Sequence, residues 1–201
     1  MKNLFSILLL LIGFTSFAQQ KFHAGVHFGA LGSQVSGDQA AGFNKPGITI
    51  GLFDLVQLKN DKTFQFELNY IQKGSRIWPD AKNGQYNSYY LKINYVEVPF
   101  TWTFPISGFQ LETGIALSKS ISVKEGNQFG DFPSLVDMNF AEAGFLIGFQ
   151  KSINDKLMYK VRYGNSLTPL RDHHGGGKTL FNWGQYHSLV EAKIYYFFKT
   201  Y

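Results

Sequence analysis

The stretch "LKINYVEVPF" (Leu91–Phe100) carries an apolar stripe that changes sides halfway along it. In its first half the odd positions are apolar, and in its second half the even positions are apolar. Because successive side chains of a strand point to opposite faces, this change predicts a β-bulge near Asn94–Tyr95. Glu97 lies on the face opposite the second stripe. The strand therefore needs an apolar environment on one side and a place for a carboxylate on the other.

Seven other segments alternate in the same way, and the eight together predict an all-β protein. The predicted strands are 21–31, 46–57, 63–74, 89–102, 108–121, 139–150, 156–166 and 185–199. Short turns alternate with long polar loops, which span 32–45, 75–88, 122–138 and 167–184. Such alternation is typical of an outer-membrane barrel, whereas a Greek-key sandwich has no reason for it. The predicted fold is an eight-stranded antiparallel up-and-down transmembrane β-barrel.

The two faces of these strands differ in chemistry. Large aromatic residues lie near strand ends on the apolar face, as in interfacial girdles: Tyr70, Trp102, Tyr163, Tyr196 and Phe198. The opposite face carries charges of both signs: Glu67, Glu97, Glu112, Glu142, Lys160, Arg162, Glu191 and Lys193. We expect these eight to point into the lumen and to form direct ion pairs, because burying an unpaired charge is costly. The alternative is a soluble periplasmic barrel with the apolar face inward and a small apolar ligand.

Pro99 gives a further expectation about depth. Proline cannot donate a hydrogen bond to a β-ladder, and a closed barrel has no free edge where that loss is harmless. We therefore expect Pro99 to lie near the rim that carries the short turns.

The N-terminal segment and the composition indicate where the protein is located and limit the classes of partner that it can bind. A basic start at Lys2, an apolar run and the small residues before Ala18 predict a signal peptide, 1–18, cleaved to leave a barrel domain, 19–201. The chain has no cysteine, so no disulfide is expected. Removal of Lys2 would lower the net charge from +5 to +4. This charge is not concentrated in any run, which gives no support for a nucleic-acid partner.

Several stretches resemble the PorT-like outer-membrane β-barrel family of Bacteroidetes-type bacteria. They are "FHAGVHFGALG" (22–32), "FQFELNYIQKGS" (64–75), "LKINYVEVPF" (91–100), "GFQLETGIALS" (108–118), "YKVRYGNSLTPL" (159–170) and "EAKIYYFF" (191–198). The resemblance implies an eight-stranded outer-membrane barrel with both termini in the periplasm. It also implies an aromatic C-terminal strand read by the barrel-insertion machinery, and a link to type IX protein secretion. It brings no catalytic set.

Three kinds of activity are compatible with such a barrel. Asp172, His173 and His174, with Ser166 or Ser188 as nucleophile, are candidates for catalysis, but their spacing is poor evidence for a site. A narrow ion path through the lumen is a second reading, although eight strands enclose a space only wide enough for side chains. The third is binding by exposed loops. The candidate residues for it are Arg76, Trp78, Arg171, His173, Lys178 and Trp183.

The sequence favours a small outer-membrane barrel with a structural or interaction role in secretion or envelope maintenance. The alternatives are a barrel enzyme or narrow channel, and the soluble ligand-binding barrel. We expect no cofactor or metal. The expected partners are outer-membrane lipid and lipopolysaccharide, the barrel-insertion machinery and secretion-system proteins.

Overall fold

The computed structural model describes residues 22–38, 40, 42–134, 137–172 and 184–199. The strands are β1 (Phe22–Ser36), β2 (Lys45–Gln57), β3 (Thr63–Ile77), β4 (Tyr89–Ile106), β5 (Phe109–Asn127), β6 (Gly130–Phe132), β7 (Ala141–Asn154), β8 (Leu157–Ser166) and β9 (Tyr186–Phe197). Among the described residues, a 3-10 turn occupies Ala81–Asn83. Within these ranges no helix is long and apolar enough to cross a membrane.

The sheet closes on itself. Each strand pairs antiparallel with its neighbour in the chain, β5 pairs with β7, and β1 pairs with both β2 and β9. The predicted eight-stranded up-and-down barrel is therefore confirmed. The short strand β6 stands outside the barrel and extends only the loop end of β5, where Glu125 pairs with Phe132. Several strands also run further toward the long loops than predicted, because their polar ends continue the ladder.

The outer wall is apolar. Large side chains exposed on it include Phe28, Ile50, Leu52, Leu68, Val96, Ile115, Leu117, Ile147, Val161 and Ile194. The predicted aromatic residues also face outward. Tyr70 and Tyr163 lie toward the loops, whereas Trp102 and Tyr196 lie toward the short turns. Only a lipid environment makes such a surface favourable, so the soluble barrel with its apolar face inward is not the fold observed.

Strand β4 does not change sides. Its odd positions face the lumen without interruption, so Leu91, Ile93 and Tyr95 are as buried as Glu97. The register does shift between Asn94 and Tyr95, but the extra residue is Ile121 on β5. The predicted bulge near Asn94–Tyr95 is therefore confirmed in position, whereas the expected change of parity within β4 was wrong. The first apolar stripe packs inside the barrel, whereas the second faces outward.

The prediction for Pro99 was also wrong. Pro99 lies inside β4, paired with Ala116 of β5, well before the strand ends at Ile106. On its other side the pairing with β3 is interrupted between Phe66↔Phe100 and Asn69↔Glu97. This local gap in the β3–β4 ladder accommodates the missing N–H donor of Pro99, so the proline does not need to lie at the rim.

Glycine allows large side chains to fill the narrow interior. A Cβ atom at Gly25 would lie 2.1 Å from the Tyr196 carbonyl oxygen and 2.6 Å from the Phe53 ring. Neither a backbone oxygen nor a packed ring can yield that space. Small and large luminal residues are therefore paired on neighbouring strands, which lets the large ones fill the interior of an eight-stranded barrel.

Candidate functional site in the barrel lumen

Six charged residues form one buried group in the lumen, the lower ion cluster: Glu67, Glu112, Lys160, Arg162, Glu191 and Lys193. Arg162 is its centre. Its Nη2 lies 2.6 Å from Glu67 Oε1, its Nε 2.5 Å from Glu112 Oε1, and its Nη1 3.1 Å from Glu191 Oε1. Three carboxylates face three cations, so the formal charge of the cluster is balanced.

The two lysines complete the lower ion cluster. Lys193 Nζ lies 3.1 Å from Glu67 and 3.0 Å from Glu191. Lys160 contacts Glu112 directly and lies 3.6 Å from Glu67. The members come from β3, β5, β8 and β9, so the cluster ties distant walls of the barrel together.

Neutral groups satisfy the remaining oxygen lone pairs of Glu67. Gln65 and Asn69 each donate to it at 2.9 Å, and they share its face of β3 because they lie two residues away on either side. The Tyr195 hydroxyl donates at 2.9 Å from β9. Such a saturated carboxylate offsets much of the cost of its burial.

A second group, the upper ion cluster, lies nearer the long loops and consists of Lys73, Glu97, Glu142 and His187. Lys73 Nζ lies 2.5 Å from Glu97 and 2.9 Å from Glu142, and His187 Nδ1 lies 2.6 Å from Glu142. The eight charged residues expected in the lumen did not include Lys73 or His187. Lys73 faces the same side of β3 as Gln65, Glu67 and Asn69. The apolar Ile71, which lies between Asn69 and Lys73 on that face, interrupts the polar stripe.

Buried apolar side chains form two layers in the lumen. On the short-turn side the buried layer consists of Phe53, Leu55, Met158, Tyr195 and Phe197. On the loop side it consists of Leu31, Val35, Ile71, Leu91, Ile93, Tyr95, Leu170 and Leu189. The lower ion cluster thus lies between the two apolar layers, whereas the upper ion cluster lies within the loop-side layer, because Lys73 and His187 are nearer the loops than Ile71 and Leu189. The first apolar stripe of Leu91–Phe100, formed by Leu91, Ile93 and Tyr95, belongs to the loop-side layer.

Arg171 anchors the last long loop to the rim. Its Nη1 lies 2.9 Å from Glu125 Oε2, its Nε donates to Gln185 Oε1 at 2.7 Å, and its Nη2 donates to Tyr89 at 3.2 Å. Burial lowers the pKa of Arg171, but Tyr89 and Glu125 outweigh it, so the pKa is raised. Arg171 was predicted to be a loop residue available for binding. That prediction was wrong, because the side chain is buried in this ion pair.

Arg76 and Trp78 remain accessible at the loop end of β3. The Arg76 guanidinium stacks 3.4 Å from the centroid of the Trp78 ring, and Trp78 Nε1 donates to the Asn44 carbonyl oxygen at 3.1 Å. The stack gives this corner a fixed aromatic and cationic surface. His173, Lys178 and Trp183, the other loop candidates, lie outside the described residues.

The described catalytic candidates do not converge. The Ser166 hydroxyl faces the lumen and accepts from the His187 backbone N–H at 2.9 Å. Ser188 faces outward and accepts from the Asn165 amide at 2.6 Å. Across the described ranges no three His, Cys, Asp or Glu residues are grouped as metal ligands. His173 and His174 are not among the described residues.

A closed barrel with a lipid-compatible outer wall and a charge-filled interior defines the class of outer-membrane β-barrel proteins. Residues 17–172 match the family described as "Outer membrane protein beta-barrel domain", and the chain belongs to that family. This membership supports localisation to the outer membrane.

Two solved structures have a similar fold. Neisserial surface protein A (NspA) aligns with a TM-score of 0.55 and 12% identity, covering 88% of this chain and 97% of that one. The second is Ail, the attachment invasion locus protein of Yersinia pestis, solved in complex with the heparin analogue sucrose octasulfate. It aligns with a TM-score of 0.50 and 14% identity, covering 89% of this chain and 99% of that one. At these identities the likeness concerns the fold alone. No curated protein matches the chain.

Proposed function

We propose that this protein is a sealed outer-membrane barrel with a structural or interaction role in the cell envelope, and that it is neither an enzyme nor a channel. The observation that carries the proposal is the filled lumen. The lower ion cluster lies between two packed apolar layers, and the upper ion cluster lies within the loop-side one. An ion would have to displace paired charges and cross both apolar layers, and each step is costly.

In this proposal the short turns and both termini are periplasmic, and the long loops are extracellular. The alternation of short and long connections supports this orientation. Activity then lies in the loops and the outer wall. Arg76 and Trp78 form the described part of a loop surface for a partner, with His173, Lys178 and Trp183 as further candidates.

The PorT-like resemblance supports a finer assignment within the same proposal. It implies insertion by the barrel-insertion machinery and contact with secretion-system proteins of the type IX pathway in a Bacteroidetes-type envelope. Deleting the gene is then expected to reduce secretion of type IX cargo. Unchanged secretion together with a weakened envelope would favour a purely structural role.

The sealed lumen predicts an electrical result. The purified, folded full chain in a planar lipid bilayer should give no unitary current steps, whereas a 16-stranded porin, which encloses an aqueous channel, should give them under the same conditions. Reproducible steps that disappear when the protein is boiled before addition would contradict the proposal.

A further inference from the structure

We propose that the outer wall of β3–β5, just beyond the apolar band, binds the phosphate groups of outer-leaflet lipopolysaccharide. The site is centred on Lys92 and Lys124, with Lys119 below them. This inference rests on the proposed function in one respect, namely that the long loops face the cell exterior.

Lys92 and Lys124 are direct cross-strand partners. They face each other in the β4–β5 ladder, and both are exposed. Directly opposite side chains have Cβ atoms about 4.5–5.5 Å apart, and like charges at that spacing are destabilising unless an anion lies between them. On the other side of Lys92 the β3 partner is Gly74, which has no side chain to cover the amine.

The bulge at Ile121 creates this pair. Lys124 follows Lys119 at an odd offset of five positions, so in a regular strand the two side chains would lie on opposite faces. The extra residue reverses the parity of β5, so Lys124 turns outward beside Lys92 and Glu125 turns inward to Arg171. β-Bulges frequently reorient a side chain in this way.

The lysines lie at the boundary of the apolar band. Outward positions on β4 are apolar from Val96 toward the short turns, and Lys119 is paired with Val96 at the edge of that band. Lys92 and Lys124 lie beyond this edge, toward the loops. Lipid phosphates occupy this level of an outer leaflet, directly above the hydrocarbon.

Charge complementarity selects the occupant. In the described structure no ion pair is recorded for Lys92, Lys119 or Lys124. The acid on β6, Asp131, lies one row further from the membrane, where it accepts from Tyr90. Outward positions at the loop ends of β1, β8 and β9 carry the uncharged Gln34, Asn165 and Ser188, in contrast to the lysines of β4 and β5.

The test is a titration of the folded full chain in detergent micelles with bisphosphorylated lipid A, followed by native mass spectrometry. The variant is Lys92→Gln/Lys124→Gln. The matched control, Lys59→Gln/Lys156→Gln, removes the same charge from exposed turns at the other end. We expect the Lys92→Gln/Lys124→Gln variant to lose affinity for lipid A by about tenfold, because each lysine near an anionic lipid contributes to binding. The Lys59→Gln/Lys156→Gln control should keep the wild-type affinity. Each variant is shown to be folded if its mobility on a detergent gel changes after boiling, because a closed membrane barrel stays folded in cold detergent.

Two comparisons separate the possible sources of phosphate. Wild type should prefer bisphosphorylated over dephosphorylated lipid A with the same acyl chains, and inorganic pyrophosphate should not displace the lipid. The proposal is overturned by equal binding of both lipids, by full displacement with pyrophosphate, or by equal losses in the two double variants. Binding of lipid A in detergent requires neither ion conductance nor a particular orientation in a membrane. A failure of the binding test would therefore contradict the lysine site alone, whereas current steps in the bilayer experiment would contradict the sealed barrel.

Discussion

Replacing Arg162 with methionine is expected to lower the free energy of unfolding by about 3–5 kcal/mol. The guanidinium of Arg162 is fully buried and contacts Glu67, Glu112 and Glu191. Removing it leaves three carboxylates against the two ammonium groups of Lys160 and Lys193. The cost is the penalty of buried charge without its partner, since methionine retains much of the packing volume.

Urea titration of the protein in phospholipid vesicles measures this free energy. Lys59→Met removes the same charge from an exposed turn and should change the free energy by less than about 0.5 kcal/mol. Arg162→Lys should fall between the two, because a point charge cannot reproduce three separate contacts. Equal stability of Arg162→Met and Lys59→Met would show that the lower ion cluster does not support the barrel.

Arginine in place of Ile115 is expected to cost about 2–4 kcal/mol in the same assay. Ile115 is 49% exposed on the outer wall, between Phe100 of β4 and Phe145 of β7, in the middle of the apolar band. A charge there must be solvated within hydrocarbon or must deform the bilayer to reach water. On a water-exposed surface the same substitution would be almost neutral.

Leu167→Arg is the matched control, because Leu167 is also exposed but lies beyond the loop end of β8. Depth dependence predicts a cost of only about 0–1 kcal/mol there. If the two substitutions had equal small effects in vesicles, the outer wall would not be in contact with lipid.

The fold was largely predictable because its signals are local. Period-2 alternation located the eight barrel strands, and loop length distinguished the two rims. The short strand β6 was not predicted, since three residues carry too little pattern. The sequence could not assign Lys73 and His187 to a cluster, because only the fold brings them to Glu142, from which they are 69 and 45 residues away in the chain.

The sequence by itself determined the number of barrel strands, the polarity of most of their faces and the kind of environment that each face requires. The tertiary structure alone decided that Leu91, Ile93 and Tyr95 are inside, that the extra residue is Ile121, and that Arg162 meets Glu67 across 95 residues of chain. The physical reason is that an apolar stripe has the same pattern whether it faces lipid or packs in a sealed lumen. Closure of the barrel sets the register, and the register determines which of these environments each stripe meets.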